Sequence, residues 1–498
     1  MKRAYSTIRL DSRRRPHPGL TMIELLIVVA VMAILIGIAL PVMKTGIEGR
    51  KLREAARQVN TAVTLAKALA AETNRFAGLM IDVESLPESP KVFARRLYLA
   101  ETPPPYAGDM VGATATISNP FEATFDANSA NLANVAKIGD FVRFDHRNPE
   151  YEITNIVPVG AGFVVSFIAP PSTAGPATGL SLPYEIIRSP EKSSATPFEL
   201  PSGAVIDLTN SGFGLSNASL ATGIPESPPA WVHESAYVRG TYCRPTSRHG
   251  FCYIAVIGGV SATTEPTWPT TLGSTVVDGT VTWQCVRPAP ITIVFAPSGR
   301  VTRVMGLNPS PFSSMPTQTL HLLIGNLANV GALNLADRSG RWVSVGHHTG
   351  RITTAENASF PPLWTSATPY ASGTYCQPTT PNGLCYIAAV AGISGAGEPA
   401  WPGLPGATIT DGAVVWECRS PPVWTASTVC PRGTWRRPTT VNGFCFVATV
   451  AGTSGASEPA WPAELGATVT DGEVEWECTL ALEPAREYAQ SAQAIGGL

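Results

Sequence analysis

The chain has 498 residues, of which 44% are hydrophobic and 14% charged, and its formal net charge is −2. Gly and Pro contribute 45 residues each, so the chain is too apolar to be disordered and too rich in helix-breaking residues to be all-helical. Its length favours several domains. Because no basic cluster follows the first 15 residues, the composition excludes nucleic-acid binding by the folded part.

The N-terminus combines a basic segment with an abrupt change to an apolar run. Residues 1–19 carry six Lys or Arg and one Asp, and residues 20–43 read LTMIELLIVVAVMAILIGIALPVM. As a helix this run is about 36 Å long, enough to cross a hydrocarbon core of about 30 Å. Basic residues stay on the cytoplasmic side. The sequence therefore predicts a single-pass anchor in the cytoplasmic membrane, with the C-terminal part outside the cytoplasm.

Glu24 is the charged residue within this apolar run, where an ionised side chain costs about 2.5–3.5 kcal/mol. A cut between Gly19 and Leu20 creates an amino group with which Glu24 of a neighbouring copy can pair. The residues GLTMIELLIVVAVMAILIGIALP, including Pro41, resemble the type IV prepilin signature. The resemblance implies a leader at 1–19, cleavage after Gly19 by a prepilin peptidase, N-methylation of Leu20, and helix packing with other pilins or pseudopilins through Glu24 and Pro41. An ordinary secretory signal cut near Ala39, or a plain anchor, is the alternative.

A second helical pattern follows the apolar run. Apolar residues recur at three- and four-residue spacing from Leu52 to Ala70. This periodicity predicts an amphipathic stem helix over 44–78 that ends near Gly78.

Strand-like segments separated by Pro, Gly, Asn and Ser follow over 79–230 and 286–360, with an insertion at about 100–195. The order LREAARQVNTAVTLAKALAAE, LPSGAVIDL, IVFAPSGRV and WVSVGHHTGRI resembles minor pseudopilins of the GspH/FimT type, which belong to the type II secretion system. The predicted fold class is α+β, with a long N-terminal membrane and stem helix packed on an antiparallel pilin-like sheet, plus three small disulfide-stapled β modules.

These modules are three copies of a 55-residue unit, at 231–285, 364–418 and 424–478, which align with one another without a gap. A tail at 479–498 follows the third copy. Each copy contains a Glu-Pro-x-Trp-Pro segment, an Asp-Gly pair and a final Trp-x-Cys. The repeat predicts a small β module in which the Asp-Gly pair forms a two-residue hairpin turn. In the first copy that hairpin places Val281, Trp283 and Cys285 on one face, which is the predicted core.

All nine cysteines lie in the repeats, three in each. A module of this size buries little apolar surface, and a disulfide, which an exported protein can form, adds about 2–4 kcal/mol. In the first copy Cys243 and Cys252 flank a turn, and Cys285 competes for either partner, so the pairing stays open. Zinc ligation is disfavoured because no CxxC spacing occurs. The candidate disulfide cysteines are Cys243, Cys252, Cys285, Cys376, Cys385, Cys418, Cys430, Cys445 and Cys478.

Three tryptophans, Trp268, Trp401 and Trp461, lie in the Glu-Pro-x-Trp-Pro loops. Each either pins its loop to the module or stacks on a sugar ring. The modules are loosely similar to small chitin- or cellulose-binding modules and to repeats of phage tail proteins, so sugar stacking is the alternative that this similarity adds.

Two functions follow from the sequence. The first is a structural minor pseudopilin that assembles into a type II secretion pseudopilus, or into the related type IV pilus, and supports protein export. The alternative is a pilus-borne adhesin whose repeats bind polysaccharide. The sequence predicts no enzyme, no catalytic residue, no metal site and no cofactor, because it has no HExxH motif and its GISGA and GTSGA segments lack the second Gly of GxSxG.

Overall fold

The computed structural model describes residues 22–494 except 86–90, 138, 148, 161, 170–174, 215–217, 221–229, 238–240, 247–250, 272, 287–289, 306–315, 358–361, 381, 383, 420 and 482. The chain divides into two compact units between Arg50 and Lys51.

One long helix, Met22–Thr73, contributes residues to both units. In the first unit the described side chains from Met22 to Met32 are exposed. In the second unit the apolar stripe from Leu52 to Ala70 is buried, as expected for residues at helical spacing. Within the described residues, no helix combines the length and the apolar content needed to cross a membrane.

The helix ends five residues earlier than the sequence predicted. Asn74 has φ of 50° and the N–H of Arg75 donates to the carbonyl of Ala70 at 3.3 Å, so a left-handed residue ends the helix. Gly78 lies instead in the strand Ala77–Ile81. A Cβ there would meet Cγ2 of Thr292 at 2.9 Å, so this position admits only glycine because a neighbouring strand passes close by.

Two antiparallel sheets share the core of the second unit with the buried helix stripe, in one apolar cluster that includes Leu79, Ile206 and Val343. The first sheet has the order Glu191–Lys192, Arg96–Glu101, Ala77–Ile81, Ile291–Phe295 and Val301–Met305, with Phe198–Glu199 also paired to Arg96–Glu101. The second sheet has the order Glu84–Ser85, Val92–Ala94, Ala204–Phe213, Leu320–Asn326, Arg341–Val345 and Ile352–Glu356, with Ala218–Ser219 paired to Ala204–Phe213.

A closed antiparallel barrel occupies the segment for which the sequence predicted an insertion. Its six strands close in the order Ser181–Ile187, Thr114–Asn119, Glu122–Phe125, Gly162–Ile168, Tyr151–Val159 and Phe141–Phe144. The 3-10 turn Ala127–Ser129 and the short helix Leu132–Val135 lie between its second and third strands in the chain. The barrel has a separate apolar core that contains Phe125, Phe167 and Tyr184.

Each repeat forms a four-stranded antiparallel sheet and a separate two-stranded ladder. The four strands are, in sheet order, Tyr242–Cys243, Cys252–Ile257, Val281–Val286 and Thr275–Asp278 in the first repeat; Tyr375–Cys376, Cys385–Val390, Val414–Arg419 and Thr408–Asp411 in the second; and Trp435–Arg436, Cys445–Val450, Val474–Thr479 and Thr468–Asp471 in the third. The ladders pair Ala236–Tyr237 with Gly259–Val260, Pro369–Tyr370 with Gly392–Ile393, and Val429–Cys430 with Gly452–Thr453.

The predicted Asp-Gly hairpin is confirmed in the first repeat. Asp278 pairs with Val281 across a turn in which Gly279 has φ of 60°. Val281, Trp283 and Cys285 are all buried, because alternate residues of the strand face the module core.

Two further helices lie beside the second core sheet. The short helix Ala332–Ala336 follows the 3-10 turn Leu327–Asn329. The helix Glu483–Ala494, within the segment that the sequence treated as a tail, packs over the strands Arg341–Val345 and Ile352–Glu356.

The predicted α+β class, with a long N-terminal helix packed on one pilin-like sheet, is wrong. Strands make up 42% of the chain and helices 15%, and the strands are distributed over many small sheets. The Gly and Pro content divides the chain after the N-terminal helix into short strands, and among the described side chains of that helix those that enter a core run from Leu52 to Ala70. The protein is therefore a mostly β protein.

Candidate functional site

One aspartate organises the core of each repeat by accepting hydrogen bonds from two tryptophans. In the first repeat, Oδ2 of Asp278 accepts from Nε1 of Trp231 at 2.7 Å and from Nε1 of Trp283 at 2.9 Å. Its Oδ1 accepts from the backbone N–H of Ala262 at 2.8 Å. These three donors compensate for the burial of the carboxylate. The other repeats have the same arrangement around Asp411 and Asp471.

The third repeat alters the residue that covers this cluster. In the first repeat the ring of Tyr237 packs edge-on against Trp283, with centroids 4.8 Å apart. Counted from the first tryptophan, the third repeat has Cys430 at that position, in an apolar cluster with Trp476. Cys430 therefore fills the place of an aromatic ring, and Arg436 stands where Cys243 stands in the first repeat.

The tryptophans of the Glu-Pro-x-Trp-Pro loops are half-buried and pack on their own modules. Nε1 of Trp268 donates to Oε1 of Glu265 at 2.8 Å. Its ring lies 4.2 Å from that of Tyr253 and 6.0 Å from that of Trp283. Trp401 and Trp461 repeat this geometry. The contacts favour pinning of the loop, since the indole N–H and much of each ring are already engaged.

All nine cysteines are buried. In the first repeat the strand register places Cys243 and Cys285 opposite the same residue, Tyr253, on the core face, whereas Cys252 begins the middle strand. Burial is the main cause of the raised pKa of Cys243, and the nearby Cys252 raises this pKa further. The disulfides stay a prediction, because this register selects no particular pair.

The thiols of the repeats are electrostatically unfavourable sites for a thiolate. Burial raises the pKa of Cys418 to about 11 and the pKa of Cys478 to about 12. Such thiols are protonated at neutral pH and are poor nucleophiles and metal ligands. Across the described residues, no group of three or more His, Cys, Asp or Glu side chains is placed to hold a metal ion.

The third repeat is attached to the core domain through the face of its sheet opposite the tryptophan cluster. Trp435, Cys445 and Val447 lie in one apolar cluster with Leu323 and Trp342 of the second core sheet. Trp435 is 1% exposed. At Trp435 this interface is therefore as inaccessible to solvent as a domain core.

A buried polar network continues the same interface. Oε1 of Glu477 accepts from Nζ of Lys91 at 2.7 Å and from the N–H of Ala332 at 3.3 Å. Burial raises the pKa of Glu477, and Lys91 opposes that rise. The fully buried Arg486, in the C-terminal helix, donates to the carbonyl of Asn210 at 2.7 Å. The network holds the third repeat and the C-terminal helix on the second core sheet.

The barrel meets the first core sheet around a buried arginine. The guanidinium of Arg303 lies 3.8 Å from the ring centroid of Phe141 and pairs with Glu150. Burial and the charge of Arg143 lower the pKa of Arg303 to about 10. A small cleft lined in part by Phe141 and Arg303 adjoins this contact. Because the cation of Arg303 is already neutralised by Glu150, the arrangement is an interdomain contact.

The four residues of the N-terminal motif lie at the start of the chain. Gly19 and Leu20 are outside the described residues. Glu24 and Pro41 lie within the helix Met22–Thr73, which is continuous through both positions; their side chains are outside the described part.

Residues 14–40 match the family model of the prokaryotic N-terminal methylation motif. The match supports a type IV pilin-like prepilin. This motif implies processing by a prepilin peptidase and assembly with other pilins. Comparison with curated proteins gives no match to the chain.

Sequence reasoning missed the roles of the repeated acidic residues in this prepilin. Asp278 was interpreted as a turn residue and Glu265 as part of a loop, although both were recognised as shared positions. The residue spacing contained a signal for this role. In each repeat the aspartate that binds the two indoles lies 47 residues after one tryptophan and 5 residues before the other. A carboxylate at a fixed distance from two indoles is a natural acceptor for both N–H groups.

Proposed function

We propose that this prepilin is a minor pseudopilin of the GspH/FimT type that assembles through its N-terminal helix into a type II secretion pseudopilus or a related filament and supports protein export. The match of residues 14–40 to the methylation motif carries the proposal. A prepilin peptidase cuts after Gly19, and the new terminus at Leu20 is methylated. Glu24 then pairs with the terminal amino group of a neighbouring subunit, which offsets the cost of an intramembrane carboxylate.

In this proposal residues 20–43 anchor the subunit in the cytoplasmic membrane, and the β-rich part lies in the periplasm or along the filament. The uninterrupted apolar run from Leu25 to Leu40 and the basic residues before it support this orientation.

We further propose a structural rather than a catalytic or adhesive role for the β-rich part. The polar and aromatic groups of the repeats are engaged with one another, as in the pairing of Asp278 with Trp231 and Trp283 and of Glu265 with Trp268. The third repeat is sealed into the core through Trp435. Such groups position subunits, and they leave few polar atoms with which to bind a substrate.

The test is N-terminal mass spectrometry of the protein isolated from the membrane and from sheared filaments. We expect an N-methylated Leu20 terminus, and retention of the leader in cells that lack prepilin peptidase. An intact leader in wild-type cells, or a terminus near residue 40, contradicts the proposal. Glu24→Ala should be cleaved normally but lost from filaments, whereas the matched variant Glu48→Ala, on the same helix beyond the apolar run, should assemble. Co-purification with secretion pseudopilins rather than with retractile pili identifies the filament.

A further inference from the structure

Each repeat carries the same cross-strand row on the face of its sheet opposite the tryptophan cluster. In the first repeat Tyr242 pairs with Ile254, and Ile254 pairs with Gln284. We call this aromatic, aliphatic and polar triplet the outer row. The equivalent outer rows are Tyr375, Ile387 and Glu417 in the second repeat and Trp435, Val447 and Glu477 in the third.

The C-terminal helix of the chain covers the outer row in two of the three repeats. In the second repeat the hydroxyl of Tyr375 donates to the carboxylate of Glu487. In the third, Trp435 shares an apolar cluster with Ala485 and Ala489. The same helix thus contacts the outer row of the second repeat through a carboxylate and that of the third repeat through two alanines four residues apart.

The outer row of the first repeat is open. Tyr242 is 43% exposed, whereas Trp435 at the equivalent position is 1% exposed. Ile254 is only half-buried, while Val447 is buried. A surface that two sister modules bury against a helix is therefore left accessible in the first.

The chain also presents a helix side that matches this surface. On the N-terminal helix the residues opposite the buried stripe are exposed, and they are small or apolar and end in a carboxylate. They form the stripe Thr61, Thr64, Leu65, Ala68 and Glu72. Leu65 is 43% exposed, which leaves a large part of an apolar side chain accessible.

We infer that the outer row of the first repeat binds the stripe from Thr61 to Glu72 on a second copy of this chain. Ala68 takes the place that Ala485 and Ala489 have against the third repeat. Glu72 takes the place of Glu487, opposite the hydroxyl of Tyr242.

The charges beside the outer row differ between the first and second repeats. In the second repeat burial raises the pKa of Glu487, the hydrogen bond from Tyr375 and the charge of Arg419 lower it, and Glu417 raises it. The first repeat has the neutral Gln284 in place of Glu417 and Val286 in place of Arg419. An incoming Glu72 therefore meets a hydroxyl and an amide, with neither a second carboxylate nor an arginine beside it.

This contact joins two different patches of one chain, so it is heterologous and leaves one patch of each kind open in a pair of copies. It rests on the proposed filament function and adds a contact between the globular parts of two copies that are neighbours in the filament.

The experiment places the photoreactive residue p-benzoyl-phenylalanine at position 242 of the full chain, in membranes of cells that assemble the filament. Irradiation should give a dimer whose cross-linked peptide is 58–67 or 68–75, the tryptic products of the stripe. Ala68→Glu should lower the yield about tenfold, because it buries a charge at the contact. Ala130→Glu, at an exposed alanine of the barrel, should leave the yield unchanged.

The same probe at position 375 should cross-link to the C-terminal helix of its own chain, which verifies the fold of the repeats. Once that control is positive, three results at position 242 overturn the inference. The first is a cross-link to another protein or within the same chain, the second is a cross-link yield that Ala68→Glu does not change, and the third is no cross-link at all. The processing of Gly19 is measured in the same sample. A cleaved protein that enters filaments without the 242 cross-link contradicts the repeat contact alone, whereas an uncleaved protein contradicts the proposed function.

Discussion

The ammonium of Lys91 donates a 2.7 Å hydrogen bond to the carboxylate of Glu477, which lies 386 positions later in the chain. Lys91 precedes the core strand Val92–Ala94, and Glu477 lies in the last strand of the third repeat. The corresponding residues of the other repeats, Gln284 and Glu417, are only half-buried. The third repeat is therefore part of the core domain. The sequence pattern does not indicate this difference, because the three repeats share the same motifs.

Loss of this ion pair should destabilise the core domain. Lys91→Met leaves Glu477 buried without its cation, which should lower the free energy of unfolding by about 3–5 kcal/mol. The double variant Lys91→Met with Glu477→Gln should recover most of that loss, because no buried charge remains. Denaturant titration of the full chain measures both; a single variant as stable as the wild type contradicts the assignment.

The barrel should show a pH dependence that is due to Glu152. This residue is 9% exposed, and burial raises its pKa to about 7. Because the folded pKa lies above the unfolded value, the stability that Glu152 contributes is present below about pH 4.5 and is lost as the pH rises through about 7. Glu152→Gln should flatten the stability profile between these values, as followed by thermal unfolding. The exposed control Glu464→Gln should not; equal profiles for the two variants would exclude this assignment.

The aspartate clamp should be necessary for the stability of each repeat. In the third repeat Oδ2 of Asp471 accepts from two indoles and its Oδ1 accepts from the N–H of Gly455 at 2.7 Å. In Asp471→Asn the side-chain NH₂ group replaces one carboxylate oxygen and faces an N–H group that then has no acceptor. We expect the free energy of unfolding to fall by about 3 kcal/mol. Thermal unfolding monitored by tryptophan fluorescence measures it. Glu473→Gln, two residues away and exposed, serves as the control, and similar melting of the two variants would mean that the clamp is dispensable.

Local patterns predicted the parts of the fold that depend on neighbouring residues. The Asp-Gly turn with alternating apolar residues gave the hairpin that buries Trp283, and the spacing from Leu52 to Ala70 gave the buried helix stripe. The helix end was misplaced because Asn74, a residue that tolerates positive φ, was overlooked in favour of Gly78.

Long-range pairing was not accessible from the sequence. The barrel closes by pairing Thr114–Asn119 with Ser181–Ile187. The local residue pattern of six short strands does not indicate which strands pair, so it could not predict this closure. The predicted α+β class is wrong for the same reason. The long N-terminal helix has a strong local pattern, whereas the many short strands that dominate the structure have weak ones. Likewise, Glu417 and Glu477 are the same residue type at the same repeat position, and the long-range contacts with Lys91 and Ala332 distinguish the second.

Each repeat should contain at least one disulfide, because a 55-residue exported module benefits from a covalent cross-link. In the first repeat Cys243, Cys252 and Cys285 are all buried, and Cys243 and Cys285 both lie opposite Tyr253, so the pairing stays open. Thiol counting on denatured, unreduced protein should find no more than three free thiols, and reduction should reveal all nine cysteines. Nine thiols before reduction would show that the modules are stable without a cross-link.

The loop tryptophans should stabilise the modules without binding polysaccharide. Nε1 of Trp401 donates to Glu398 at 2.8 Å, and its ring lies 4.3 Å from the ring of Tyr386. Since these contacts occupy the indole, we expect no retention of the full chain on insoluble chitin, cellulose or peptidoglycan. Replacement of Trp401 and Trp461 by Ala should instead lower the melting temperature, because each change removes a half-buried ring and one of the hydrogen-bond donors to a glutamate. Phe121→Ala, at an aromatic residue that is 55% exposed, should melt like the wild type. Retention of the wild type that is lost in the tryptophan double variant while the fold persists would establish these loops as a sugar-binding surface.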